Sequence, residues 1–178
     1  MTSSSGRREP SSTDSFLAAL TAGAADRPES RLLDDLVGDW RVTTEWKPIA
    51  DGAVHHLSGR TETQWIVDGR VQESRSFDDD GREIAKVLCA FDPTVGDYVA
   101  FSVTVMSTCF VLERGHHDPV GRTLVLEGVE PVPGGRPAVR YRRTVQFGGV
   151  DEYTVAISYP DAPPGTYGPM VSRHQRIA

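Results

Sequence analysis

Three charged side chains alternate with apolar ones in segments that have the period-two pattern of β-strands. In residues 70–77 the more apolar face carries Glu73 and Arg75, and in residues 138–147 it carries Arg143. Because alternate side chains of a strand point to the same side, we expect all three in the protein interior. An inward arginine can bind a ligand carboxylate or enolate through its planar guanidinium. An inward glutamate with a raised pKa can act as an acid or a base. The alternative is an ion pair at the rim of the fold that points partly to water.

Histidines are the other candidates for moving a proton. His174 shares a strand face with Met170 and Ser172, so it is either a catalytic base or a hydrogen-bonded structural residue. The histidine doublets at 55–56 and 116–117 offer only one ligand each to an interior site, because neighbours on a strand point to opposite faces. The histidine spacings typical of a metal site do not occur. We therefore predict that the protein holds no metal.

Aromatic side chains supply the apolar part of the candidate site. Trp65 and Tyr141 are the best candidates to line a pocket, because the strands around them carry the inward charges. The other aromatic residues can equally fill a core. The predicted catalytic residues are Glu73, His174 and Arg143, and the predicted ligand-binding residues are Trp65, Arg75, Phe77, Phe101, Tyr141 and Tyr153.

Short strands separated by turns must position these residues. The helical pattern before Gly38-Asp39-Trp40 gives way to alternation from Trp40 to Trp46, and turn signals such as Asp68-Gly69 then recur. Further strand-like segments lie near 58–67, 70–77, 84–91, 98–105, 108–115, 123–129, 138–147, 152–159 and 169–177. With the first strand there are about ten, at the spacing of hairpins. Such strands either close into a barrel or pack as a sandwich, and periodicity alone does not separate the two.

The N-terminal region has a different character. We expect residues 1–29 to form a tail that is disordered or partly helical, and residues 30–178 to form the strand domain. A short helix capped by Asp14 or Ser15 is predicted in the tail, followed by a second short helix capped by Ser30. The apolar residues of these helices are Phe16, Leu17 and Leu20 in the first and Leu32, Leu33, Leu36 and Val37 in the second.

Composition excludes several classes of function. The chain has 178 residues, a net charge of -6 and a pI of about 5.3. This acidity disfavours non-specific binding to nucleic acid or anionic lipid. No apolar run approaches the ~18–20 residues of a membrane span, so we predict a cytoplasmic protein. Cys89 and Cys109 lie in apolar strands and are predicted as buried thiols rather than a disulfide. Nucleophile-elbow and phosphate-loop motifs do not occur, and no cofactor is predicted.

Four short motifs occur in one order along the chain. They are LVGDW at 36–40, WIVDGRVQESRSF at 65–77, CAFDPTVGDYV at 89–99, and MST at 106–108 followed by Gly115. With these motifs the chain resembles a lipocalin-like bacterial family of unknown function, domain-of-unknown-function group 1579, over roughly residues 31–177. The resemblance implies an all-β fold, a lipocalin-like antiparallel up-and-down barrel of about 8–10 strands with one or two short N-terminal helices. It implies no settled activity.

One position departs from that family. Ser102 and Thr104 stand where the family usually has tryptophan and aspartate. If that acid acts in relatives, this chain cannot use it in the same way. The departure indicates either a specialised pocket or drift at a structural position.

Three functions are compatible with such a barrel. The first is the binding of a small, largely apolar molecule. The second is a cofactor-free cyclase or isomerase for a polyketide-like substrate, in which Glu73 or His174 moves a proton and Arg143 or Arg75 steadies an oxyanion. This second function rests on an analogy between folds. The third is a structural or partner-binding domain whose interior is filled. The expected partner is the small molecule, not nucleic acid or a membrane, and a homodimer is left open.

Overall fold

Ten antiparallel strands form a closed barrel in the computed structural model, which describes residues 13, 15–16, 28–132 and 136–177. Each strand pairs with the next one along the chain, and the last pairs with the first. The closure confirms the predicted all-β barrel and excludes the sandwich. The strands are β1 (Gly38–Trp46), β2 (His55–Ile66), β3 (Val71–Asp78), β4 (Glu83–Asp92), β5 (Asp97–Thr104), β6 (Ser107–Asp118), β7 (Thr123–Val132), β8 (Arg136–Phe147), β9 (Glu152–Ser158) and β10 (Met170–Arg176).

Tight turns stand where the sequence has its glycine signals. Gly69, Gly81 and Gly96 have φ angles of 73°, 79° and 75°. These values lie in the left-handed region, which glycine adopts without steric cost. The recurrent Asp-Gly and Gly-Asp signals therefore mark hairpins, as their sequence pattern predicts.

Two glycines inside strands allow neighbouring backbones to approach closely. A Cβ atom at Gly59 would collide with the carbonyl of Phe77, and one at Gly115 would collide with the carbonyl of Val125. A glycine at such a position marks a tight bend or a close backbone approach in a barrel.

A short helical segment precedes the barrel, but it begins earlier than predicted and most of it is a 3-10 helix. Helix α1 (Pro28–Arg31) is followed directly by a 3-10 helix, Leu32–Leu36. Ser30 lies inside α1, so its predicted role as the N-cap is wrong. Proline is favoured in the first turn of a helix because it has no N–H to satisfy, which explains the start at Pro28.

The predicted helix further towards the N-terminus is only partly covered by the described residues. Thr13, Ser15 and Phe16 are helical. Asp14, Leu17 and Leu20 lie outside the described residues.

The 3-10 helix closes one end of the barrel, which we call the barrel floor. Trp40 is fully buried there, and its Nε1 donates a hydrogen bond of 2.9 Å to the carbonyl of Leu36. Gln72 Nε2 donates to the carbonyl of Leu33 over 2.6 Å. Trp65 Nε1 donates to Asp34 Oδ1 over 2.7 Å. Side chains from β1, β2 and β3 therefore fix the helix in place through its own polar groups.

At the end of the barrel opposite the floor, which we call the open end, interior-facing side chains keep more contact with solvent. Successive strands run in opposite directions, so the loops at 47–54, 79–82, 105–106 and 159–169 all lie at this end. Interior-facing side chains near the floor are buried, whereas those near the open end, such as Leu57, retain exposed surface.

Candidate ligand site in the barrel interior

The strand register identifies which side chains face the barrel interior. Directly paired residues of neighbouring strands lie on the same face of a sheet. Starting from buried Trp40, the pairs can be followed around the whole barrel. The interior-facing residues include Thr61, Thr63, Trp65, Gln72, Ser74, Ser76, Cys89, Ser102, Glu113, Tyr141, Arg143, Tyr153, Ser172 and His174.

An ion pair lies in the interior between β6 and β8. Arg143 Nη2 is 2.8 Å from Glu113 Oε2, and the exposed fractions of the two side chains are 15% and 0%. Burial opposes the charge on Arg143, but Glu113, Tyr141 and Cys89 more than offset this effect and raise the pKa of the guanidinium. Arg143 therefore stays positively charged next to a fully buried carboxylate.

The hydrogen-bonding capacity of this pair is not used up by the protein. Although Nη2 and Oε2 are close, their contact lacks hydrogen-bond geometry, and neither oxygen of Glu113 has a partner with that geometry, although the phenol of Tyr141 interacts with the carboxylate. Arg143 Nε is also buried without a partner. Buried polar groups are nearly always hydrogen-bonded, so such atoms need an explanation.

Gly128 makes room for the groups around the ion pair. It is paired with Glu113 on one side and with Tyr141 on the other. A Cβ atom at Gly128 would lie 3.1 Å from the Cγ of Glu113 and 3.1 Å from the ring of Tyr141. Burial, and then the charge of Glu113, raise the pKa of the Tyr141 phenol, so it stays protonated.

Hydroxyl groups line another part of the interior wall, formed by β1, β2, β3 and β10. They are joined in three pairs across neighbouring strands: Thr61 with Ser76 (3.0 Å), Thr63 with Ser74 (2.9 Å) and Thr44 with Ser172 (2.8 Å). A hydroxyl group has one donor and two acceptor positions, so each pair keeps capacity for a further bond. The interior is therefore more polar than the largely apolar ligand of the sequence prediction requires.

His174 lies near the floor, with its ring stacked on Tyr153. The ring centroids are 4.1 Å apart and the rings are inclined by 14°. The Nδ1 atom of His174 is buried without a hydrogen-bond partner. Burial lowers the pKa of His174 to about 4, which makes the imidazole neutral at neutral pH. The predicted role as a base needs such a neutral ring, but it remains a prediction.

We expect acid to destabilise the fold through His174. Its pKa is about 6.5 in an unfolded chain and about 4 here, so the unfolded state takes up the proton first. The contribution of neutral His174 to the free energy of unfolding is therefore complete above about pH 6.5 and is lost as the pH falls towards 4. The loss is about 1.4 kcal/mol per pH unit and about 3 kcal/mol in all. Urea denaturation of the wild type and His174→Phe across this window measures it. A loss of stability that is equally steep in both proteins contradicts the assignment, and exposed His56→Gln is the control.

The two cysteines differ in their surroundings. Cys89 is buried in the interior, and burial raises the pKa of its thiol to about 12, with Arg143 acting in the opposite direction. Cys109 is exposed, so the prediction of a buried thiol is wrong for this residue. It lies close to the β5–β6 turn.

The interior position predicted for Glu73 and Arg75 is wrong. Both lie on the outer face of β3, since Ser74 between them points inward. Glu73 Oε1 is 3.0 Å from Lys86 Nζ, and Arg75 Nη2 is 2.6 Å from Glu83 Oε2. Lys86 lowers the pKa of Glu73, which is the opposite of the raised pKa expected for a buried acid or base. The roles predicted for these two residues depended on an interior position.

Two predicted aromatic residues also face outward. Phe77 is buried beneath the guanidinium groups of Arg60 and Arg75, whose Cζ atoms are 4.0 and 5.0 Å from its ring centroid. A shift of register between Ser76 and Phe77 accompanies this arrangement. Phe101 is exposed on the outer face and stacks on Phe110 at 4.8 Å. An apolar side chain on a strand thus does not always mark the interior.

The other predicted site residues do face the interior. Arg143 and Tyr141 lie together beside Glu113, whereas Tyr153 and His174 lie near the floor. Trp65 lies at the floor, where it contacts Asp34. The structure therefore brings Arg143 and Tyr141 into one cluster and separates them from Trp65. Whether these residues bind a ligand stays a prediction.

Sequence reasoning missed Glu113. It alternates with Phe110 and Leu112 in β6, and the usual rule would point those apolar side chains inward. The structure has the reverse, with Phe110 and Leu112 65% and 53% exposed. The one available signal was the inward Arg143, because a buried charge requires a partner of opposite sign.

Two grooves lie on the outside of the barrel. One, of about 430 Å³, is bordered by Leu112, Arg114, Glu127 and Arg140. The other, of about 260 Å³, lies near Glu45, His56 and Arg173. Within the part of the chain that the structure describes, no three His, Cys, Asp or Glu residues are grouped so as to hold a metal ion. In the same residues no helix has the length and apolar character needed to cross a membrane.

The closed ten-stranded barrel with its helical floor places the protein in the lipocalin-like class of up-and-down barrels. The chain belongs to the family "Protein of unknown function (DUF1579)", whose family model matches residues 26–174. Its structure is similar to the crystal structure of Rv2717c from M. tuberculosis, with a TM-score of 0.59 and 14% identity over 85% of this chain and 99% of that chain. At this identity the similarity shows the fold alone. Among curated proteins, none matches the chain.

Proposed function

We propose that the barrel binds one small molecule in its interior. The observation that carries this proposal is the ion pair of Glu113 and Arg143, because it is interior-facing and both of its members have hydrogen-bonding atoms without a protein partner. A barrel filled only for stability would gain little from a buried pair, since well-packed apolar residues of similar volume are often as stable or more so. A ligand that forms hydrogen bonds with these atoms would explain why the chain has a buried ion pair despite the free energy that its desolvation costs.

The mixture of apolar and polar side chains in the interior supports a ligand of mixed character. The floor supplies apolar surface from Leu124, Leu126 and Val145. Above it are the ion pair on one side and the hydroxyl pairs on the other. We infer that the apolar body of the ligand lies towards the floor and that its polar groups face the walls. It enters at the open end.

A saturable binding assay tests the proposal. We expect the neutral fluorescent probe N-phenyl-1-naphthylamine to bind one molecule per chain with increased emission. Filling the interior by Val155→Trp should abolish this binding, because Val155 faces inward between Val145 and Ser172. The matched control is Thr154→Trp, which adds the same side chain to the outer face of the same strand. Circular dichroism verifies that both variants are folded.

The assay also separates the interior from the outer grooves. Probe bound in a groove such as the one beside Leu112 would be unaffected by Val155→Trp. Equal binding by both tryptophan variants and the wild type, or the lack of any saturable signal, rejects the interior site.

A cofactor-free cyclase or isomerase is the second proposal. The carboxylate of Glu113, beside the cation of Arg143 and the phenol of Tyr141, favours it, because these are groups that could move a proton and steady an oxyanion. In this proposal Glu113 has the proton-transfer role that the sequence analysis predicted for Glu73. A carrier returns its ligand unchanged, whereas an enzyme returns a product. Mass spectrometry and chromatography of a ligand recovered after incubation distinguish the two, and Glu113→Gln should stop any conversion.

The cytoplasmic location and the homodimer also remain predictions. Size-exclusion chromatography with light scattering determines the number of chains in solution.

A further inference from the structure

We propose that the interior site selects uncharged ligands carrying a group that both donates and accepts hydrogen bonds, such as a hydroxyl or carboxamide, and discriminates against carboxylates. This inference rests on the proposed binding function. It follows from the pairing of Arg143 with Glu113, whose side chain is completely buried. Arg143 alone would attract a carboxylate, as the sequence suggested. With Glu113 already beside it, the pair as a whole carries no net charge.

An incoming carboxylate would meet Glu113 at close range. Because Arg143 Nη2 is only 2.8 Å from Glu113 Oε2, a ligand bound to the guanidinium also lies near that carboxylate. Repulsion between like charges is strong in a poorly solvated interior. The carboxylate would in addition have to lose its own hydration. Both effects favour a neutral ligand.

The unused hydrogen-bonding atoms match a group of dual character. Both oxygens of Glu113 can only accept, and Arg143 Nε can only donate. A ligand hydroxyl or carboxamide can donate to the carboxylate and accept from the guanidinium at the same time. A carboxylate has no hydrogen to donate, so it would leave Glu113 unsatisfied.

The other charged groups of the interior strengthen this selection. Arg176 follows His174 on the inward face of β10, but its side chain donates to the carbonyls of Val37 and Val150 at the floor. Near the open end, Glu130 accepts a hydrogen bond of 3.1 Å from Tyr159. A ligand that enters at this end therefore passes the carboxylate of Glu130 before it reaches Arg143, which is already paired with Glu113.

Three naphthalene compounds test the selection, because they share a ring and differ in one group. They are 2-naphthol, naphthalene-2-carboxamide and naphthalene-2-carboxylate, measured by displacement of N-phenyl-1-naphthylamine near pH 7.5. We expect the naphthol and the carboxamide to bind the wild type at least about tenfold more tightly than the carboxylate. Equal or tighter binding of the carboxylate overturns the inference while leaving the proposed function intact. If neither the probe nor any of the compounds binds, the proposed function itself fails.

The variant Glu113→Gln tests the origin of the selection. It removes the negative charge at nearly constant volume and leaves Arg143 facing the interior, so the affinity for the carboxylate should rise at least about tenfold. The matched control is Glu73→Gln, which removes an ion-paired carboxylate from the outer face and should leave the ratio of affinities unchanged. A folded Glu113→Gln protein that still binds the carboxylate as weakly as the wild type rejects the role of Glu113.

A second measurement needs no variant. Lowering the pH from about 7.5 to about 5.5 increases the neutral fraction of naphthalene-2-carboxylate by about tenfold per pH unit. If the site selects the neutral form, the apparent affinity of the wild type for this compound rises in proportion, while the affinity for the carboxamide stays constant. An affinity for the acid that does not change over this range contradicts the inference.

Discussion

Replacing Arg143 by methionine is expected to lower the free energy of unfolding by about 3–5 kcal/mol, the effect of breaking a buried ion pair. The substitution keeps much of the side-chain volume but leaves the fully buried carboxylate of Glu113 next to no cation. That carboxylate must then take up a proton or remain as an uncompensated charge, and either outcome favours the unfolded chain. Urea denaturation near pH 7, followed by tryptophan fluorescence, measures the loss.

Two further variants separate this effect from a general sensitivity of β8. Arg142→Met removes the adjacent arginine, which points outward and binds Glu127, and should cost less than about 1 kcal/mol because the pair is exposed. In the double variant Glu113→Gln and Arg143→Met the stranded charge is gone, so most of the stability should return. A double variant as unstable as the single one means that the ion pair is not the cause.

The second large effect is expected at the barrel floor. Trp40→Ala should destabilise the protein by about 3–5 kcal/mol, as is typical of a large buried aromatic residue replaced by alanine. Trp40 contacts the ring of Tyr153 edge-on at 4.7 Å, and the guanidinium of Arg176 lies 4.2 Å from its own ring. It also carries the hydrogen bond to the 3-10 helix. The substitution therefore leaves a cavity and loosens the floor at once.

Trp46→Ala is the matched control for this prediction. Trp46 ends the same strand at the open end of the barrel, where it is only half-buried. Its loss should cost no more than about 2 kcal/mol, since less apolar surface returns to water. Thermal and urea unfolding of both variants give the comparison. Equal destabilisation at the two positions argues against a special contribution of the floor.

The strands and turns could be predicted because local chemistry determines them. Alternation from Trp40 onward and glycine at the tight turns needed no knowledge of distant residues. In β8 the apolar face carries Tyr141 and Val145, which are truly buried, so the position of Arg143 was predicted correctly. Here the hydrophobic pattern and the barrel interior coincide.

On β3 the same rule fails for a physical reason. The interior face of this strand carries Ser74 and Ser76, whose hydroxyl groups form hydrogen bonds with threonines of β2. The outer face carries Phe77, which is covered by arginine side chains rather than by the core. On this strand the interior face is therefore the more polar one, so the rule that apolar residues face inward assigns the wrong face. Only the pairing between strands, which a single sequence does not display, decides the orientation.

The pairing of β1 with β10 has a consequence for how the protein is made. The sheet is continuous around the barrel, so each described strand has a hydrogen-bonded neighbour on both sides. During synthesis, however, β1 must wait for the last strand before its second edge is covered. Until then the nascent sheet offers an unpaired edge that other chains can join, which is a recognised route to aggregation. A chain truncated before Met170 would keep that edge permanently exposed, so the pairing of the first and last strands protects the protein from aggregation as well as closing the barrel.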